Sequence, residues 1–211
     1  MSRLSDLRWM DTALALARSG LGTTAPNPSV GCVIVQQNSV VGRGITASGG
    51  RPHAERIALD EAGAAARGAS VYVSLEPCAH FGQTPPCADA LIDAGVARVF
   101  VACRDPDPRT AGQGLARLEG AGIAVAEGLR QDAAETLNAG FFSRVLKQRP
   151  LFAIDAEPGG YDIAVETPGE TTTEDWTKAL FEAGWTRVRL VPGSDAAQEA
   201  MAAGIVDAIR A

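Results

Sequence analysis

Four cysteines are scattered through 211 residues. That is too few for a chain stapled by disulfides, so in a reducing compartment they point to metal binding, catalysis or core filling. No run of 18 apolar residues occurs, which argues against a membrane-spanning helix. Basic residues are not in excess: 19 Lys and Arg stand against 25 Asp and Glu, a net charge of −6. Proteins that coat nucleic acid carry a basic face, so neither tRNA nor DNA is expected as a partner; a local basic pocket for one phosphate stays compatible with the balance. There is no Gly-x-Gly-x-x-Gly turn, no internal repeat and no low-complexity tract, and no dinucleotide cofactor is expected. The N-terminus places Asp6 and Asp11 inside a helical pattern and lacks the apolar block and cleavage site of a signal peptide. A cytoplasmic location is expected.

Apolar residues make up 46% and charged residues 21% of the chain, an ordinary globular balance with enough material for a core. Leu7, Met10, Leu14 and Ala17 recur at helical spacing in 4–19, which Gly20 and Gly22 end. Asn27 lies between Pro26 and Pro28, so its backbone is pushed toward extended geometry in a rigid loop. Strands are expected over 30–35 and 40–45 as a hairpin, then over 70–75, 98–103 and 123–126. Helices are expected over 52–67, 85–94, 114–119 and 132–146. Strands alternating with helices give an α/β sheet covered on both faces. After Pro150 the texture turns polar, and one αβα unit is expected: helix 176–182, strand 187–191, helix 194–203. The expected division is therefore 1–150 and 151–211, the second part being too small for an independent nucleotide-binding domain.

The cysteines divide in two. Cys32 and Cys103 sit in apolar runs and read as core thiols. Cys78 and Cys87 sit among Pro, Gly, His and Thr, where a core residue is not expected. With His53 they form a set of one imidazole and two thiols, which suits zinc (Zn2+) and leaves a fourth position for water. His53 begins one helix and Cys87 opens another, and a helix N-terminus favours the thiolate. Glu55, two residues after His53, falls near such a metal without being a ligand, as a proton shuttle requires. The His-x-Glu and Pro-Cys pattern is that of zinc nucleobase deaminases, except that eight residues separate the cysteines here. Two bland readings compete: a closed structural zinc site, for which His80 would have to be the fourth ligand and Glu55 would have no role, and three residues without metal.

The segment Pro77-Cys78-Ala79-His80-Phe81-Gly82-Gln83-Thr84-Pro85-Pro86-Cys87 closely resembles the deaminase half of the bifunctional riboflavin-biosynthesis deaminase/reductase family, within the cytidine deaminase-like superfamily. The resemblance extends over nearly all of 5–150, through Pro26-Asn27-Pro28-Ser29-Val30-Gly31, Gly49-Gly50-Arg51-Pro52-His53-Ala54-Glu55, Asp105-Pro106-Asp107-Pro108 and Asn138-Ala139-Gly140-Phe141-Phe142. It implies a three-layer α/β/α sandwich with a mixed sheet, zinc on His53, Cys78 and Cys87, and Glu55 as proton shuttle. It further implies hydrolysis of the 2-amino group of a diamino-pyrimidinone ribosylamino 5′-phosphate. Asn27 would contact that substrate, Ala54 and His80 would line its pocket, and Arg51, Arg104 and Arg109 are candidates for its phosphate. Related folds commonly form homo-oligomers; Phe141 and Phe142 mark a subunit contact or core.

The sequence departs from the family twice. Gln83 and Gln113 stand where the family usually has a cation, and a neutral bond in place of a charge-assisted one loses about 1–2 kcal/mol. The reductase half is far too short: its usual entry segment is replaced by Leu151-Phe152-Ala153-Ile154-Asp155-Ala156, and its Glu-Gly-Gly loop by Val191-Pro192-Gly193. Residues 151–211 then read as an internally deleted reductase kept as a docking appendage, or as an unrelated tail. Two further functions stand beside the riboflavin reading: a zinc deaminase with a changed pyrimidine, purine or pterin substrate, and a non-catalytic zinc-bearing partner protein, against which the intact Glu55 argues.

Overall fold

A computed structural model describes residues 3–82, 85–108, 110–168 and 172–210. Helix α1 (Arg3–Ser19) leads to a five-stranded sheet of β1 (Gly31–Gln36), β2 (Ser39–Ile45), β3 (Ser70–Val73), β4 (Arg98–Val101) and β5 (Ala124–Glu127), in the order β2-β1-β3-β4-β5. Strand β1 runs antiparallel to both neighbours, whereas β3, β4 and β5 run parallel. The sheet is therefore mixed, as expected. Gln37 and Asn38, both at positive φ, make the two-residue hairpin turn whose twist suits the flanking strands.

Helix α1 and helix α5 (Gln131–Lys147) touch one another over one face of this sheet; helices α2 (Ala54–Ala62), α3 (Cys87–Asp93) and α4 (Gln113–Gly120) form the chain of contacts over the other. Glycines set how close the helices come. A Cβ at Gly42 or Gly44 would land on the carbonyl of Ala58 or Ala54, and one at Gly31 on the carbonyl of Ala13. Helix backbones thus rest directly on strand backbones, and the start of α2 is held at the sheet. The core of this layer includes Met10, Ile34, Tyr72, Leu91 and Leu118, with Cys32 and Cys103 buried in it as expected. Phe141 and Phe142 pack against the same core, which favours the core reading of that pair. The second expected helix is shorter than 52–67: α2 ends at Ala62, and a 3-10 turn occupies Gly63–Ala66, because Gly63 adopts a positive φ that stops α-helix propagation.

After α5 the chain forms more than one αβα unit. A second sheet contains β6 (Leu151–Asp155), β7 (Ile163–Val165), β8 (Arg187–Leu190) and β9 (Ala208–Arg210), all parallel, in the order β7-β8-β6-β9. With α6 (Thr173–Glu182) and α7 (Asp195–Ala202) it buries its own cluster around Phe152, Ile154, Trp176, Val188 and Leu190. Helix α6 starts with a capping box in which Thr172 and Asp175 satisfy each other's backbone donors. No described helix is long and apolar enough to cross a membrane.

Candidate metal centre and active site

Topology brings four loops to one edge of the first sheet. The segment before β1, the segment after β2, and the segments after β3 and β4 all meet there, because β1 runs opposite to β2 and β3. Carboxyl ends of parallel strands are the usual place for a ligand crevice. The crevice here is lined by Asn27, Arg51, His53, Glu55, Cys78, His80 and Phe141, among others, a concave mixture of apolar and convergent polar groups of the kind that takes a small molecule.

His53 is the N-cap of α2, Cys87 is the first residue of α3, and Cys78 lies in the loop between β3 and α3. His53 Nδ1 is 3.7 Å from Cys78 Sγ and 3.4 Å from Cys87 Sγ. Zinc bonds of ~2.3 Å to sulfur and ~2.0 Å to nitrogen, at a tetrahedral angle, put such atoms about 3.6 Å apart. The donor set fits the metal in kind and in spacing. Among the described residues it is the group of His, Cys and acidic side chains close enough to hold an ion, all three ligand atoms lying within 4.8 Å of one another.

The sulfurs share charge unequally. The Cys87 thiol donates to Cys78, His53 does so as well, and the Cys87 backbone N–H adds a bond of 3.3 Å. Cys78 is held down to about 4, a thiolate throughout the neutral range, while the same contact and burial push Cys87 up. The Cys78 contact also raises His53. Glu55 is 3% exposed; burial, reinforced by the negative Cys78 sulfur, brings its carboxyl up to about 7. That value suits an acid that must also serve as a base.

Other residues were not visible from sequence. Glu76, 3% exposed, accepts backbone N–H bonds from Gly112 (3.0 Å), Gly114 (3.1 Å) and Asp105 (3.4 Å). It ties the loop after β4 to the loop that carries Cys78. Gly114 allows this, since a Cβ there would strike the Pro77 carbonyl. Asp105, Asp107 and Thr110 join the lining, and Thr110 Oγ1 is 3.3 Å from His80 Nδ1. An acid two residues before a ligand cysteine is the one sequence signal that could have pointed to Glu76.

The substrate candidates separate. Asn27, Arg51 and His80 reach the crevice. The Asn27 amide rests on Gly50, where a Cβ would occupy the same space. Ala54 is fully buried with its carbonyl against Gly44, placed between His53 and Glu55 but not in the lining. Arg104 is not brought to the crevice: it forms a bidentate pair with Glu127 at 2.6 and 3.0 Å, beside Gly128 and Gln131, so the nearest carboxylate on β5 takes it outward. Gln113 starts α4 and donates to the Pro108 carbonyl at 3.0 Å. Arg109 and Gln83 lie outside the described residues.

Residues 4–103 match the family model of the cytidine and deoxycytidylate deaminase zinc-binding region. The riboflavin biosynthesis protein RibD of Escherichia coli is 54% identical over 142 residues, covering 67% of this chain and 39% of that protein. The structure of Acinetobacter baumannii RibD aligns with a TM-score of 0.69 at 45% identity over 76% of this chain and 44% of that one. A Thermotoga maritima diaminohydroxyphosphoribosylaminopyrimidine deaminase/5-amino-6-(5-phosphoribosylamino)uracil reductase aligns with a TM-score of 0.86 at 23% identity, over 98% of this chain and 85% of that one. The last likeness is one of fold, and it takes in the second sheet as well as the first. The chain spans about two fifths of the length of the curated relatives it matches. Residues 4–103 thus carry the cytidine and deoxycytidylate deaminase zinc-binding region, and the first two thirds of the chain are homologous to the deaminase region of RibD proteins.

Proposed function

We propose that the chain is a zinc-dependent hydrolytic deaminase that acts on the 2-amino group of 2,5-diamino-6-ribosylamino-4(3H)-pyrimidinone 5′-phosphate. The observation that carries this reading is the burial of Glu55 against the His53, Cys78 and Cys87 donor set on the floor of a small-molecule crevice. His53 Nδ1 and the two sulfurs would hold the zinc, which would supply Lewis-acid activation of a water. Glu55 would carry one proton of the attacking water to the ring nitrogen beside the amino-bearing carbon, and then the second proton, from the hydroxyl added at that carbon, to the amine that leaves as ammonia. Asn27, fixed over Gly50, can donate and accept at the ring edge. Phe141 supplies an apolar wall, and His80, set by Thr110, faces the same space. In this reading residues 1–150 are the deaminase domain and 151–211 a shortened reductase-like remnant. A homo-oligomer is compatible with this reading, and Phe141 and Phe142, half-buried against the core, do not decide its surface.

Charge favours a second reading for the substrate alone. Among the described residues that line the crevice, Arg51 is the one Arg or Lys, against Glu55, Glu76, Asp105 and Asp107. A phosphate dianion needs cations or backbone donors, and Arg104 is spent on Glu127. An unphosphorylated pyrimidine, purine or pterin amine is the alternative. Ammonia release from the phosphorylated and dephosphorylated pyrimidinones decides between them. The riboflavin reading expects kcat/KM to fall at least tenfold without the phosphate, and Gln83→Arg to lower KM for the phosphorylated compound. Equal values for the two compounds establish the changed substrate.

A further inference from the structure

The residues after Pro150 touch the first sheet's layer along α5 and at the loop that carries Asn27. Gly22, at positive φ, lies so close to Tyr161 that a Cβ would be 2.5 Å from its carbonyl oxygen. Gly184 packs on Pro26, 3.6 Å from where its Cβ would be. Gly50 faces Asn27 from the opposite side. The loop is held between the two parts of the molecule.

Behind Asn27 the two parts enclose a narrow cleft, lined by Asn27 and Pro28 of the loop, Asn138 and Phe141 of α5, and Thr186 and Arg187 of the second sheet. Phe141 and Asn27 line the substrate crevice too, so the cleft is the back of the same wall. Arg187 is 8% exposed and carries a guanidinium whose Nη1 donates to the Leu137 carbonyl at 3.1 Å, while its Nε has no partner. Its stem fills the space that Gly140 leaves on α5; a Cβ there would collide with Arg187 Cγ. One oxygen of the neighbouring Asp162 carboxylate, Oδ2, accepts from the Thr186 N–H, the Thr186 hydroxyl and the Arg187 N–H at 2.6–2.8 Å. It pins the start of β8 and offsets the guanidinium charge only in part, since burial still lowers the Arg187 pKa. A buried cation that is only partly compensated and leaves its Nε unpaired costs stability that an apolar side chain would not, and departures of this kind concentrate where function sets the structure.

We propose that Arg187 is a positioning residue of the deaminase site, and that the C-terminal segment serves that site as the back wall which fixes the Asn27 loop. The inference rests on the deaminase reading for its functional consequence, but its structural half is independent of it. In the full chain, Arg187→Met should raise KM about tenfold or more with kcat within about threefold, at unchanged zinc content. Amide hydrogen exchange in segment 22–29 should accelerate at least tenfold, while β3 and β4 keep their protection. Arg187→Lys, which retains a cation and a donor for Leu137, should restore part of both. If Arg187→Met does not fold, Thr186→Val removes only the hydroxyl bond to Asp162 and should shift the same two readouts less. Unchanged exchange in 22–29 for a folded variant overturns the proposal. So does a loss confined to kcat. Should the parent chain turn over none of the amines, the deaminase reading fails while the exchange measurement still decides whether this segment holds the loop.

Discussion

Glu55 is a carboxylate with almost no water around it, next to two sulfurs and an imidazole, and its place in the reaction can be separated from its place in the fold. Glu55→Gln keeps the shape and removes the base. Zinc measured by atomic spectroscopy should stay near one per chain, and ammonia release should fall at least ~10²-fold, the usual share of a positioned acid/base. Cys78→Ser or Cys87→Ser should lose the metal instead; full retention in both would remove the donor set from consideration. Asp105 gives a second residue-level test, of pH and stability. Burial raises its carboxyl from 3.8 to about 6, so the folded state binds the proton more tightly than the unfolded chain. The resulting stabilisation is complete below pH ~4, is lost as pH rises to about 6, and stays lost above. Asp105→Asn is neutral at every pH, and its oxygen can still accept the Asp107 N–H that Asp105 Oδ1 accepts at 2.8 Å. The variant should gain about 2–3 kcal/mol over the parent at pH 7.5 and much less at pH 4.5. Melting temperatures at the two pH values check this, and a constant difference would contradict it.

At the scale of elements, the active site depends on how closely α2 lies on β2. Gly44 faces the Ala54 carbonyl, and Ala54 separates His53 from Glu55. Gly44→Ala must lift the start of α2, at about 1–3 kcal/mol of overpacking, and should cost activity out of proportion to stability because ligand and shuttle move together. Comparing the loss in denaturation midpoint with the loss in kcat tests it; a stability loss with full activity would mean that the helix re-seats. The same scale shows what was legible beforehand. The zinc set and Glu55 were readable because two helix starts and one loop carry them in short, motif-bearing segments. Glu76, Asp105 and Thr110 were not, because their meaning lies in contacts between loops some 30 residues apart in the chain. The direction of Arg104 is hidden for the matching reason: Glu127, on the next strand, decides where it points. Strands β7 and β9 are three residues each, too short to show an alternation, and β6 has an unbroken apolar run that length alone does not assign. The expectation of a single αβα unit failed on these three strands.

The whole molecule is two cores, and one of the links between them is a cluster of charge. Asp207, just before β9, accepts two bonds from Arg149 (2.7 and 2.8 Å), one from Lys147 (3.1 Å) and one from the Phe152 N–H (3.0 Å). One carboxylate thus fastens the last strand to the end of α5 and the start of β6. The side chains of Asp207 and Arg149 are 15% and 25% exposed, so the pair is only partly desolvated, and removing one partner should cost about 2 kcal/mol rather than the 3–5 of a fully buried pair. Tryptophans allow the cost to be assigned. Trp176 and Trp185 belong to the second core and Trp9 to the first, and Trp9 Nε1 makes no hydrogen bond that a phenylalanine would forfeit. In a Trp9→Phe background, emission reports the second sheet alone. Asp207→Ala should move that transition down by several degrees, while zinc release, which follows the first core, shifts less. If the second sheet is the back wall of the Asn27 loop, KM should begin to rise at the temperature where the emission changes, before zinc is lost. Coincident loss of emission, metal and substrate affinity would instead describe a single cooperative unit, in which the two cores stand or fall together.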